Sequence, residues 1–187
     1  NTSIMLLHRP LVGHLVQQRL NSTAGDVIVV ADDEALVGVL WSEQPQEWKR
    51  AGLTVAQPLT PIHHPVLRAA SSQIDALLRG QCTTIDLPMA HNGTDFQHAV
   101  WTALTHIDYG HTRTYAEVAA DIGRPSAVRA VAGAIGRNPL SIVVPCHRVI
   151  GTNGQLTGFA GGIAAKAALL AIEGTFIPHD GQAHRRS

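Results

Sequence analysis

The sequence predicts an α+β protein: a small amino-terminal antiparallel sheet with one helix, then a mainly helical carboxy-terminal part. Three observations predict it. Two β-branched runs, Val27 to Ala31 and Ala35 to Trp41, flank the acidic turn Asp32-Asp33-Glu34, the pattern of a hairpin. After the polar break His91-Asn92-Gly93 the apolar residues Phe96, Val100, Trp101, Leu104 and Ile107 recur at helical spacing. Two short helical segments, Tyr115 to Ile122 and Ser126 to about Ile135, then meet across Gly123-Arg124-Pro125, the outline of a helix-turn-helix. The boundary is placed between Gly93 and Thr94, giving parts 1–93 and 94–187.

Taken in order, the leading segment Asn1 to Gly25 has no placeable pattern and is expected to be flexible, solvated chain. Gln57 to Pro65, with Pro58, Pro61 and Pro65, reads as an irregular connector. Leu67, Ala70, Ile74, Leu77 and Leu78 predict a helix over Val66 to Leu78 that Gly80 stops. Thr83 to Leu87 reads as a further short strand. Thr94 can cap a helix ending near Tyr109-Gly110, and Ser126 can cap the second helix of the helix-turn-helix. Leu140 to Val144 is expected to be a buried, strand-like approach to Pro145-Cys146-His147-Arg148. Five glycines between Gly151 and Gly162 suggest a loop able to pass close to a ligand, and Ile163 to Glu173 is a helix closed by Gly174. The tail Thr175 to Ser187 is expected to be solvated chain.

Composition narrows the function. With 187 residues and 45% hydrophobic side chains the chain can bury a core, while no apolar run approaches the ~18 residues needed to cross a bilayer. No basic region followed by an apolar run marks a leader, so a cytoplasmic location is expected. A formal net charge of zero argues against binding nucleic acid by charge over the whole surface. Between Gly110 and Ile150, however, Arg113, Arg124, Arg129, Arg137 and Arg148 face only Glu117 and Asp121. Guanidinium suits phosphate contacts and stacking on bases, although solvated helix ends would give the same count. The two cysteines, Cys82 and Cys146, lie far apart with no redox or metal spacing, which argues against a disulfide scaffold.

Cys146 is the candidate nucleophile. An unperturbed thiol with a pKa of about 8.5 is only a few per cent ionised near neutrality, so it needs a base. His147 adjoins it, but neighbours on an extended segment face opposite ways, so direct contact is not assured and a bridging water could pass the proton. Glu173, the odd residue at the end of an apolar helix, could orient the imidazole; it could equally be an ordinary exposed helix-end carboxylate.

The run Ile142-Val143-Val144-Pro145-Cys146-His147-Arg148-Val149-Ile150-Gly151 strongly resembles the acceptor-cysteine motif of the O6-alkylguanine-DNA alkyltransferases, the methylated-DNA–protein-cysteine methyltransferases. Thr94-Asp95-Phe96-Gln97, Val100-Trp101, Tyr109-Gly110, Thr114-Tyr115, Ala130-Val131, Asn138-Pro139, Gly158, Gly161-Gly162, Lys166 and Leu169-Leu170 with Glu173 follow the family's order. The match covers about Thr94 to Gly174. The resemblance implies a winged-helix-like carboxy-terminal part in which Cys146 accepts the alkyl group, with His147 as water-linked base and Glu173 as its partner. Asn138 would brace the site. Tyr115 would sit by the rotated phosphate and donate a proton to the guanine, supported by Lys166. Arg129 would enter the base stack, with Thr114, Arg124, Ser126 and Ala130 contacting DNA around it. Val149, Phe159, Ala160 and Gly161 would line the pocket.

These roles fit the chemistry. O6 of guanine lies inside a base pair, so in-line attack by a cysteine in a cleft requires the nucleotide to leave the stack. The thioether formed is inert, and each molecule should act once. The implied partner is double-stranded DNA carrying O6-alkylguanine, with O4-alkylthymine left open. A monomer is expected, with cooperative assembly on DNA also open, and the acting protein would be associated with the nucleoid. No cofactor is implied. Some relatives hold a structural zinc; Cys82, His63, His64 and His91 show no recognised ligand spacing, so no metal is expected. Phe159-Ala160 replaces a tyrosine and small polar residue common in the family, which leaves substrate range open. Two other readings stay open: a cysteine hydrolase built on the same three residues, and a DNA-binding module in which Cys146 merely packs.

Overall fold

A computed structural model describes residues 5–44, 46–53, 57–58 and 63–175. The hairpin forms as predicted, β3 (Val27–Ala31) antiparallel to β4 (Leu36–Trp41), with a register shift at Val30/Ala31. Its turn is built on Asp32, whose carboxylate accepts the backbone N–H groups of Glu34 and Ala35 and pairs with Arg9 at 2.8 Å. That contact ties down the leading segment. Asn1 to Gly25 was expected to be solvated chain, yet from residue 5 onward it supplies β1 (Leu6–His8) and β2 (Val16–Leu20).

The sheet has six strands in the order β1-β6-β4-β3-β2-β5, with β5 being Gln57–Pro58 and β6 Met89–His91. Its centre is antiparallel, while β1, β6 and β5 add in parallel at the flanks. The strand expected at Thr83 to Leu87 is absent; those residues are irregular, with Ile85 plugged into the core, and the strand lies at β6 instead. Of the expected irregular connector, Gln57–Pro58 pairs with β2, residues 59–62 lie outside the described residues, and Pro65 opens a helix. That helix, α2 (Pro65–Leu78), buries Leu67, Ala70, Ile74, Leu77 and Leu78 against the sheet. A short helix α1 (Gln46–Arg50) follows β4.

The helical part begins at α3 (Asp95–Leu104), where Thr94 and Gln97 form a reciprocal capping box; it stops short of the predicted Tyr109. A second capping box, Thr114 with Glu117, starts α4 (Tyr115–Asp121). The helix-turn-helix closes with α5 (Val128–Ile135), but Ser126 does not cap it: the cap position is Ala127 and no side chain bonds there. Trp101 donates its indole N–H to the Ala134 carbonyl at 2.9 Å, locking α3 to α5.

Leu140 to Val144 is buried as expected but is a compact turn rather than a strand. Asn138 causes this, its amide donating to the Val144 carbonyl and accepting from Leu140 N–H, both at 2.9 Å. Ile142 takes φ 75°, rare for a β-branched residue, which marks a backbone held by its surroundings. Those surroundings include β4: the Val39 N–H donates to the Pro139 carbonyl at 2.8 Å, and the Val39 carbonyl accepts from the Ser141 N–H at 3.1 Å. Beyond Cys146–Arg148, a single 3₁₀ turn, β8 (Val149–Ile150) pairs with β7 (Arg113–Thr114), and α6 (Gly162–Ile172) closes the described fold. The tail from residue 176 lies outside the described residues. No helix among the described residues is long and apolar enough to cross a membrane.

Candidate active site

The 3₁₀ turn removes the premise that Cys146 and His147 sit on extended chain with opposed side chains. Cys146 is 5% exposed and His147 1%. The imidazole Nε2 lies 2.6 Å from Glu173 Oε1, while Nδ1 is buried and bonded to no protein group. The alternative reading of Glu173 as an exposed helix-end carboxylate is corrected, because its side chain is only 5% exposed at the C-terminus of α6. Gly110 N–H also donates to it at 3.2 Å, so the segment after α3 is part of the site's scaffold.

Arg148 is the residue that sequence reasoning misplaced. It was counted in a surface patch, yet it is buried and forks onto Glu173 through Nε at 2.9 Å and Nη2 at 3.0 Å, with Nη1 donating to the Ile107 carbonyl. Its guanidinium also lies over the Tyr109 ring at 5.5 Å. Burial alone would raise the Glu173 pKa, but His147 and Arg148 outweigh it and hold the carboxyl at about 2. Burial pushes His147 below its ordinary value, and Glu173 only partly opposes this. The Cys146 thiol is pushed up by burial, opposed by hydrogen bonds with Asn138 and Ser141 and by the charge of Lys166. At rest the arrangement favours a neutral imidazole beside a thiol, with a fixed anion on the far side of the ring.

The second arm is Tyr115 with Lys166. The Tyr115 hydroxyl donates to the Thr157 carbonyl at 3.2 Å, and Lys166 Nζ donates to the same carbonyl at 3.0 Å and to that of Val149. Lys166 is fully buried, which lowers its pKa to about 8, and its ammonium stands 6.0 Å from the Tyr115 ring centre. Burial raises the Tyr115 hydroxyl, partly offset by its bond to Thr157. The β7·β8 pairing, Arg113 with Val149 and Thr114 with Ile150, joins the start of α4 to the residues just after the acceptor turn. Thr157 carried no local signal, since a backbone acceptor is independent of residue type.

Arg129 and Ala130 on α5, and Arg124 and Ser126 before it, are exposed. Thr114 is half-buried and engaged in its capping box. With Arg113 paired to Asp121 at 3.1 Å, the patch reduces to Arg124, Arg129 and Arg137, which form no ion pair among the described residues. Val149 is buried, and Phe159, Ala160 and Gly161 are half-buried in the glycine-rich loop. Surface hollows of about 760 Å³ beside Arg79 and Ile172 and about 270 Å³ beside Gly93 and Arg137 do not include Cys146. His63, His64, His91 and Cys82 do not converge: the His64 ring caps α2, and among the described residues no group of three or more His, Cys, Asp or Glu is arranged to hold a metal.

The model of the 6-O-methylguanine DNA methyltransferase DNA-binding domain matches residues 95–175. A methylated-DNA–protein-cysteine methyltransferase of Methanosarcina acetivorans is 41% identical over 160 residues, spanning 82% of this chain and 95% of that protein. The crystal structure of the Mycobacterium tuberculosis O6-methylguanine methyltransferase is 40% identical and superposes with a TM-score of 0.74 over 89% of this chain and 96% of that one. The Mycobacterium tuberculosis OGT in complex with DNA matches at 39% identity and a TM-score of 0.73, over 86% and 92% of the two chains. With the domain model matched over residues 95–175 and relatives about 40% identical over more than four-fifths of its length, the chain belongs to the methylated-DNA–protein-cysteine methyltransferase family.

Proposed function

We propose that this chain repairs DNA by transferring an alkyl group from O6 of guanine to Sγ of Cys146, once per molecule. The observation that carries the reading is the buried His147–Glu173 pair on the turn that holds Cys146, in which His147 keeps one buried ring nitrogen free of any protein partner. A water between Sγ and Nδ1 would carry the thiol proton to the imidazole, and Glu173 would stabilise the imidazolium formed. The thiolate attacks the alkyl carbon, the carbon–O6 bond breaks, and its electron pair goes to the purine. Tyr115 supplies a proton to the ring so that guanine does not leave as a bare anion. The proton on His147 returns to solvent and Tyr115 is reprotonated, so the products are guanine and an S-alkyl cysteine. No step releases the thioether.

Because Cys146 is nearly inaccessible at rest, an everted base would reach Sγ only after the structure around the thiol opens. Arg129, exposed on α5, has the length and planar head to fill the vacated stack, and Arg124, Ser126, Ala130 and Thr114 would contact the DNA. The partner is double-stranded DNA, bound by a monomer acting in the cytoplasm. The division of labour follows the boundary at 93/94, with DNA binding and the acceptor in the second part.

The test is to mix the protein with duplex DNA containing O6-methylguanine and weigh the intact protein. One methyl group on Cys146 and a stoichiometric end point are expected. Multiple turnovers would instead identify a hydrolase, and binding without a mass change a lesion reader; either overturns the proposal.

A further inference from the structure

The loop that would line the base pocket is clamped by a residue of the sheet. Trp41 ends β4 and is 3% exposed. A Cβ on Gly161 would fall 2.6 Å from both Cδ2 and Cε2 of its indole, so only a glycine lets the loop backbone lie on the ring. On Gly25, at φ +125°, a Cβ would come within 3.1 Å of Cζ3. Phe159 meets the indole edge-on, centres 5.5 Å apart at 70°. The backbone N–H of Trp41 donates to Glu47 Oε2 at 3.1 Å, which fixes the base of the side chain.

We infer that Trp41 is a positioning residue that sets the depth of the alkyl pocket by holding Phe159 to Gly161 in place, and so decides which O6 substituents this chain accepts. The inference rests on the alkyl-transfer reading above. Thr157, earlier in the loop, is held by Tyr115 and Lys166, whereas Phe159 and Gly161 bear on Trp41. A rigid indole seated between two glycines and an aromatic edge cannot yield by rotamer change without losing all three contacts. The wall it supports therefore stays close to a small alkyl group and excludes a large one. Removing the indole leaves space into which the loop can retreat, admitting bulk while loosening the alignment of a methyl carbon.

The experiment measures single-turnover transfer from O6-methylguanine and from O6-benzylguanine in the same duplex, for the native protein, Trp41→Ala, Trp41→Leu and Trp41→Phe. The benzyl-to-methyl rate ratio should rise about tenfold in Trp41→Ala, in line with the cost of slight misplacement of reacting groups. It should rise in the same direction in Trp41→Leu, which keeps more apolar volume and decides the matter if the alanine variant fails to fold. Trp41→Phe should return the ratio to within about twofold of the native value, a smaller ring still filling the slot. A general loss of stability would slow both reactions alike and leave the ratio unmoved, and that result overturns the role of Trp41 alone. A native protein that accepts neither group overturns the transfer reading and this inference together.

Discussion

Arg148 turns inward at the acceptor turn, and the pairing it makes governs how Glu173 behaves. Two guanidinium nitrogens and the His147 ring surround one carboxylate that has almost no contact with water. Breaking a buried pair from one side leaves an uncompensated charge, so Arg148→Met should cost about 3 kcal/mol in urea unfolding. Its pH dependence should also move. Because the folded pKa of Glu173, about 2, lies below its ordinary 4.5, this stabilisation is complete above about pH 4.5 and is lost as pH falls toward 2. In Arg148→Met the loss should be smaller and should end at a higher pH, because only the folded pKa moves; an unchanged acid limb would show that Arg148 is not what holds the carboxyl down. Cys146 and Glu173 were legible because a lone cysteine in a motif and a charge on an apolar helix are anomalies of type. Arg148 was not, since an arginine buried beside a carboxylate has the same sequence signature as one in solvent.

At the scale of elements, the two capping boxes and the missing one make a paired prediction. Thr114 closes a reciprocal box at the start of α4, immediately before Tyr115, whereas Ser126 bonds nothing at the start of α5. Thr114→Ala should therefore lower stability by about 1 kcal/mol, and Ser126→Ala by less than about 0.5 kcal/mol. Equal losses in thermal unfolding would contradict the assignment of the caps. The helices were legible because their periodicity and caps are local. The apolar run Leu140 to Val144 was misread as strand-like, because burial alone does not separate a strand from a buried turn. The deciding residue, Asn138, acts through two side-chain bonds that reach across the turn. In the leading segment, β2 carries Gln17, Gln18 and Arg19, too polar a stretch to announce a strand before its partner β3 is known.

Across the whole molecule, one apolar cluster runs from the sheet through the helices, and a histidine group lies where they meet. His91 on β6 is buried, its Nε2 2.9 Å from Nδ1 of His98 on α3, and His8 on β1 stacks on both rings at about 5 Å. Asp95 on α3 is 3.7 Å from His8. Burial first, then His98 and His8, hold the His91 pKa at about 4, below its ordinary 6.5. The unfolded chain thus takes up the proton more readily, and stability should fall as pH drops from about 6.5 to 4, by on the order of 3 kcal/mol. His91→Phe should flatten that slope in urea titrations; a slope as steep as the native one would rule out this group as its source.

Joining sheet and helices was the least legible level, because Val39 and Trp41 meet the acceptor turn and the pocket loop with no local mark on either side. The Val39–Leu140 bridge spans about a hundred positions of the chain. During synthesis β4 emerges long before Leu140, and its outward peptide groups wait for a partner made much later. The reactive thiol accordingly receives its brace late in folding, when this long loop closes, and a nascent chain carries an unready cysteine until that moment.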